Sequence, residues 1–295
     1  MSADSFDNHP YLPDERATTP EQRRHYWAVA IGLQAVDGLE VSADVRQLAK
    51  DYEHGTYTLE QTGEIIRKKY AQASQDSATP EAEADLVSQR IVELLAQNSF
   101  TFAPEMLSHI HAYLFQDLPA GIYHPGEYKT QRLIKRENIL NGDSVLYADP
   151  TMIEMSLAHL FREEGAAGRG AALEGEQLES FARFIALLWQ VHPFVEGNTR
   201  TVAVFSELYL RALGFDVTND AFANHAAYYR DAMVRANYRN PAADIAPAFE
   251  YVRAFYDNLI NDAGHELDRE ELLCAELFDD PTLLKNVPPD WALRG

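Results

Sequence analysis

Pro193 interrupts what would otherwise be a continuous apolar helical run, and the break constrains the fold more than any other feature. Residues 181–191 read as an apolar helix that runs straight into His192. Proline has no amide donor and disfavours helix at the residue before it, so this helix must stop there. A second helix opens almost at once, at Asn198. The turn between them carries a histidine, a carboxylate (Glu196), a glycine (Gly197), an amide (Asn198) and an arginine (Arg200). The N-terminus of a helix attracts anions through its free backbone N–H groups and the positive end of its dipole. Such a set suits phosphoryl or nucleotidyl transfer. Mg²⁺ is held by one or two carboxylates plus phosphate oxygens, so Glu196 alone suffices. The amides from Gly197 through Asn198 and Thr199 to Arg200 would cradle a diphosphate, with Arg200 neutralising it. His192 titrates near neutrality and could take a proton from an attacking hydroxyl. Phe194, the apolar member, is expected to plug into the core and fix the turn.

With 295 residues, 46% of them apolar, the chain can bury one large core with a small appendage. A formal net charge of −21 argues against nucleic acid as a bulk partner. The single cysteine, Cys274, excludes an internal disulfide and a cysteine zinc cluster. The first fifteen residues lack a basic region followed by an apolar run, and no stretch reaches membrane-spanning length. A cytoplasmic protein without a membrane partner is expected; oligomeric state is left open.

Capping signals organise the chain. Residues 1–18 read as a flexible terminus. Thr19-Pro20-Glu21, Ser42 and Thr58 each read as a helix start, giving helices over 20–36, 43–53 and 59–70, the first stopping at Asp37-Gly38. This small three-helix unit, 19–71, barely has a core of its own and should dock on something larger. A small polar linker covers 71–79. Helices follow over 81–97, 104–116, 150–164, 177–191, 198–213, about 220–237 and 241–261, and a short one over 268–277 lies in an acidic tail, 263–295. The stretch 121–147 differs. Its apolar residues are broken by Pro125-Gly126 and Asn141-Gly142, and Asn-Gly between apolar residues is the strongest short hairpin signal. A β-hairpin is expected here, bearing Lys129, Arg132, Lys135 and Arg136, with Val145 and Tyr147 on its return strand. The fold class is mainly α, with one β-hairpin.

The central turn resembles the Fic (Fic/Doc) signature, His-Pro-Phe-x-(Asp/Glu)-Gly-Asn-Gly-Arg-x-x-Arg, at His192, Pro193, Phe194, Glu196, Gly197, Asn198 and Arg200. The likeness extends over roughly 80–262, and Gly121-Ile122-Tyr123-His124-Pro125-Gly126-Glu127-Tyr128-Lys129 is similar to the entry to the family's flap. The resemblance implies transfer of AMP from ATP to a protein hydroxyl. His192 would be the base and Glu196 the Mg²⁺ ligand, with Gly197, Asn198 and Arg200 on the phosphates and Thr199 beside them. The protein target would dock on the hairpin flap between Lys129 and Tyr147. Tyr229, Met233 and Asn237 share one helix face by their i, i+4, i+8 spacing, which suits a core stripe equally well. A comparable family pattern, matched by Ala236-Asn237, lines the adenine pocket.

Two positions depart from the signature. Thr199 replaces its second glycine, which tightens the approach to phosphate. Ala203 replaces its final arginine, which in the family holds the γ-phosphate. Losing such a partner costs about 1.5–3 kcal/mol unless another group substitutes, and Lys135 or Arg136 of the flap could do so. The unit 19–71 resembles the small antitoxin of Fic toxins, whose inhibitory motif is (Ser/Thr)-x-x-x-Glu-(Gly/Asn). Leu33, Asp37 and Gly38 align with it. The family's inhibitory glutamate pairs with the final signature arginine, so with Asp37 and Ala203 in those places the usual bridge cannot form. Three functional readings stand together: an adenylyltransferase regulated in cis, an enzyme of the same fold with another donor or the reverse reaction, and a nucleotide-binding protein without chemistry.

Overall fold

Each N-terminal helix starts where a short polar side chain can accept from its first turn. The computed structural model describes residues 18–71, 78–170 and 172–293. Most of the terminal segment expected over 1–18, and of the linker expected over 71–79, lies outside these residues. Thr19 caps α1 (Pro20–Gly32), Ser42 caps α2 (Ala43–Glu53) and Thr58 caps α3 (Leu59–Tyr70). Past Gly32 the chain tightens into a 3-10 turn, Leu33–Asp37, and closes on Gly38 in the left-handed region (φ 69°). Thr79 caps α4 (Pro80–Gln97). α5 (Glu105–Phe115) and the one-turn α6 (Ala120–Tyr123) lead into the non-helical excursion. The bundle resumes with α7 (Ile153–Ala166), α8 (Gly175–Val191), α9 (Asn198–Ala212), α10 (Ala221–Asn237), α11 (Glu250–Asn261) and α12 (Ala275–Asp279).

The apolar helix α8 is the centre of the bundle and touches α7, α9, α10 and α11. Its Phe181, Ile185, Leu188 and Trp189 are buried, as are Phe205 and Leu208 of α9. α9 also packs on α5 and on the 3-10 turn that ends at Asp37, so the motif helix lies directly against the N-terminal unit. α1 lies between α4 and α10. Contact is closest at Gly32, where an added Cβ would lie 2.4 Å from the Ala223 Cα and 2.7 Å from its carbonyl oxygen. Only glycine permits that approach.

The excursion over 121–147 corrects the sequence expectation. Asn141 (φ 52°) and Gly142 (φ 88°) do turn the chain, and the Glu137 N–H donates to the Asp143 carbonyl at 3.0 Å. No β-ladder forms there, however. The tail takes up polar groups around the reversal instead. The Cys274 N–H donates to the Ile139 carbonyl (3.0 Å), and the Asn141 side-chain amide donates to the Leu277 carbonyl (2.8 Å). The Lys285 and Asn286 N–H groups donate to the Asp143 carboxylate at 3.0 and 2.9 Å. Two further helices differ from expectation. The one expected over 241–261 splits, because Asp244 is left-handed and Pro247 disfavours helix before it, so α11 starts at Glu250. The tail helix shifts to α12, preceded by a 3-10 turn at Glu270–Leu272.

A buried ionic cluster fastens α1 to the bundle. The His25 Nδ1 lies 2.9 Å from Asp220 and its Nε2 3.3 Å from Glu207, while Arg24 pairs with Asp220 and Arg211 with Glu207, both at 2.7 Å. Burial pushes the imidazole pKa down, but Glu207 and Asp220 outweigh it and the net shift is upward. A raised folded-state pKa gives stability that is complete below the unfolded value and lost as pH rises through the folded value. Urea denaturation of the protein and of His25→Gln at several pH values should therefore give a stability difference that narrows toward alkaline pH. A difference that stays constant, or widens, contradicts the clasp.

Candidate active site

Helix α8 ends where Pro193 requires, with His192 itself left-handed (φ 49°) as its C-cap. That conformation turns the imidazole inward. It stacks on Tyr147 (centroids 3.9 Å apart, planes at 23°) and meets Trp189 edge-on at 5.6 Å. The ring is buried and its Nδ1 has no hydrogen-bond partner. Burial, reinforced by Lys135, Lys129 and Arg230, drives the His192 pKa well below its ordinary value. The residue is thus a neutral imidazole at physiological pH.

Three local contacts lock the turn. The Phe194 N–H donates to Asn198 Oδ1 (3.0 Å) and Asn198 Nδ2 returns a bond to the Phe194 carbonyl (2.8 Å). Phe194 stacks on His111 of α5, with ring centroids 3.9 Å apart, and so plugs into the core as expected. The His111 Nε2–H donates to the Glu196 carbonyl (3.0 Å), while its Nδ1 accepts from the Gly126 N–H (2.9 Å). With one nitrogen donating and the other accepting, His111 is neutral. Burial, with help from Arg200, lowers its pKa to about 4. One imidazole therefore ties α5, the motif turn and the start of the flap. The Lys129 N–H adds a second tie, to the Pro193 carbonyl at 2.7 Å.

Gly197 opens α9 at φ 74° with no side chain to cap it, which leaves the first-turn amides for a ligand. The Glu196 side chain is exposed beside that helix start. Among the described residues no three histidine, cysteine or carboxylate side chains cluster as a metal site. A single hard oxygen donor such as Glu196 fits Mg²⁺ completed by phosphate oxygens. The Thr199 hydroxyl accepts from the Trp189 indole N–H (2.9 Å), which fastens α9 to α8.

Arg200 is 1% exposed and makes the densest set of contacts in the site. It donates to Glu83 of α4 (2.6 Å) and to Gln34 (3.1 Å), lies 3.1 Å from Asp37, and stands over the Phe115 ring at 5.1 Å. Asp37 bridges further, to the Lys135 Nζ at 3.1 Å. Burial alone would push the Asp37 carboxyl up, but Arg200 and Lys135 outweigh it and hold it at about 2. The acid aligned with the antitoxin motif thus meets the first signature arginine instead of the missing one. Arg136 goes elsewhere, onto Trp291 and its carbonyl.

The helix face expected to line a nucleotide pocket is core. Tyr229 and Met233 are fully buried, with the Tyr229 hydroxyl 3.0 Å from that of Tyr256. Asn237 spends its amide on the carbonyls of Ala186 and Met233, both at 2.9 Å. The i, i+4 spacing marks a stripe without saying which way it faces, and this one faces α8 and α11. A neighbouring face of α10 lines a cavity of about 320 Å³ instead, through Ala227, Arg230 and Asp231, opposite Asp37, Gly38 and Lys135.

Sequence reasoning missed His111, Glu83 and Gln34, and it named Lys129 without its burial. His111 was within reach, because it interrupts the apolar stripe of Leu107, Ile110 and Leu114 on α5. Lys129 has an Nζ without a hydrogen-bond partner, over the Tyr147 ring at 5.6 Å, and burial lowers its pKa to about 8. Nothing local in the sequence signals that.

The sequence model of the Fic/DOC family matches residues 100–210. The chain is 28% identical over 196 residues to the probable protein adenylyltransferase y4lH of Sinorhizobium fredii (strain NBRC 101917 / NGR234), covering 65% of this chain and 91% of that one. A crystal structure of a Fic family protein from Desulfovibrio desulfuricans G20 shares the fold, with a TM-score of 0.52 at 16% identity, covering 86% of this chain and 69% of that one.

An added Cβ at Gly197 would lie 2.1 Å from the Phe115 ring. Gly197→Ala should therefore lower stability by about 1–3 kcal/mol in denaturant unfolding, through overpacking and a strained φ. A neutral result would mean that α5 is not seated against the turn.

Proposed function

Because residues 100–210 match the sequence model of the Fic/DOC family, we propose that the protein is an adenylyltransferase, moving AMP from ATP to a hydroxyl side chain of a target protein and restrained in cis by its N-terminal helices. One observation carries the reading. A buried, neutral imidazole with an unpartnered ring nitrogen ends one helix, and the next helix starts beside it with uncapped amides and a buried arginine. In this reading His192 removes the proton of the target hydroxyl as its oxygen bonds to the α-phosphorus. The bond from that phosphorus to the bridging oxygen breaks and diphosphate leaves. Asn198 holds the turn rigid, and the amides opening α9 stabilise the phosphate charge. Mg²⁺, held by Glu196, would neutralise the leaving diphosphate. Residues between Lys129 and Tyr147, anchored to the turn through Pro193 and His111, are the proposed docking segment for the target.

Incubation with Mg²⁺ and ATP, followed by intact-protein mass spectrometry, should show a covalent AMP adduct on the protein itself or on a lysate protein. Absence of an adduct with every nucleoside triphosphate, from the full chain and from Asp37→Ala alike, defeats the proposal. His192→Ala should abolish transfer while leaving the thermal transition in place. Since His192 is active when neutral and its pKa lies well below the usual range, the rate should hold level through pH 6–7. An acid limb at or above pH 6.5 would contradict that assignment.

Asp37 supports the restraint, because it fills the anion-binding side of Arg200 and of Lys135 at once. Asp37→Ala should raise transfer by about tenfold or more, the worth of one charge-assisted contact, and an unchanged rate would leave the N-terminal unit a purely structural cap. The departures at Thr199 and Ala203 favour a second reading, transfer from another diphosphate-containing donor. A screen of nucleoside triphosphates and diphosphate-linked nucleotides separates the two.

A further inference from the structure

The arginine that would grip the far end of a triphosphate is absent, since position 203 is a buried alanine. Yet three basic side chains line the cavity beside Asp37. Lys135 reaches it from the flap, Arg230 from α10 and Arg269 from the segment after α11. Each of these cations leans on a carboxylate of the protein. Lys135 pairs with Asp37 at 3.1 Å, Arg230 with Glu137 at 2.7 Å and Arg269 with Asp231 at 2.7 Å. The Asp37 carboxylate puts one oxygen on Lys135 and the other on Arg200, the disposition of an anion gripped from two sides. Arg230 also keeps a buried Nε without a hydrogen-bond partner. Its counter-ion Glu137 is fully buried and shared with the Tyr147 hydroxyl, so its charge is only partly available to Arg230.

We propose that Lys135 and Arg230 form a substitute clamp for the terminal phosphate of a nucleoside triphosphate, in the cavity that Asp37 closes. The inference rests on the nucleotide-transfer reading and deepens it, for it assigns donor specificity to two residues outside the signature. Arg230 lies on the face of α10 next to that of Tyr229 and Met233, so the same helix supplies core on one face and ligand contact on its neighbour. Asp37 stands where that phosphate would stand, and binding of a triphosphate requires the acid to withdraw from both Lys135 and Arg200.

The test is direct binding rather than turnover. Isothermal titration calorimetry of the full chain carrying Asp37→Ala, with ATP, ADP and tripolyphosphate as probes, should show ATP bound more tightly than ADP. Adding Lys135→Ala should weaken ATP by about tenfold or more while moving ADP by less than about threefold, the loss expected for one charge-assisted phosphate contact. Arg230→Gln should do the same, and Arg230→Lys should recover part of the loss. Lys135 is half-exposed, so its variant tests the clamp even if Arg230→Gln fails to fold. ADP and ATP weakened equally, or an ATP-to-ADP ratio that neither variant moves, overturns the clamp while leaving nucleotide binding intact. Failure of the Asp37→Ala protein to bind ATP or ADP overturns both the clamp and the nucleotide reading. Tripolyphosphate bound as tightly as ATP would show a polyphosphate site without a nucleoside and overturn the proposal as stated.

Discussion

The structure turns on one buried guanidinium. Removing an arginine from water costs several kcal/mol unless charged and polar partners surround it. Here they come from separate stretches of chain: Gln34 and Asp37 after α1, and Glu83 at the start of α4. Glu83 in turn accepts from the Tyr123 hydroxyl of α6. The motif helix, the N-terminal unit and the entrance to the flap therefore share one electrostatic centre. Any motion that parts the N-terminal unit from α9 must first give Arg200 new partners.

Around that centre the motif residues divide their labour. Asn198 and Gly197 shape the turn rather than present a side chain, and the gap left by the missing Cβ is filled by Phe115. Thr199 offers a similar lesson. Its hydroxyl serves the Trp189 indole, so the departure from glycine strengthens the joint between α8 and α9 at the start of the motif helix. His111 does comparable work from the other side. It sits as a neutral pivot between three segments, a role for which only a side chain with one donor and one acceptor in a flat ring is suited.

Much of this was legible in the sequence, and the illegible part has a common cause. The capped helices α2 and α3 run over the residues expected because Ser42, Thr58 and the following polar residues act within a turn of themselves. The end of α8 follows from Pro193 alone. The flap shows the limit. Asn141-Gly142 reverses the chain as its chemistry demands, but strand pairing depends on what competes for the backbone, and the competitors, Cys274 on the Ile139 carbonyl and Leu293 on that of Asn141, lie more than a hundred residues away. The stripe of Tyr229, Met233 and Asn237 meets a related limit, since periodicity defines a face and only tertiary packing says what that face meets. Arg230, one position from Tyr229, looks like a surface charge until α10 is docked.

The tail that grips the reversal also sets an order of events. Cys274, Leu277, Lys285 and Asn286 supply contacts that hold Ile139, Asn141 and Asp143 in place. A chain emerging from the ribosome contains its histidine, its acid and its arginine well before those residues have been made. Until then the limb bearing Tyr147, on which His192 stacks, lacks these contacts and relies on those from the bundle, such as the Gln190 amide on the Leu146 carbonyl. The candidate site is thus completed by the last part of the described chain to be synthesised, and a nascent chain carries the signature without yet carrying that site.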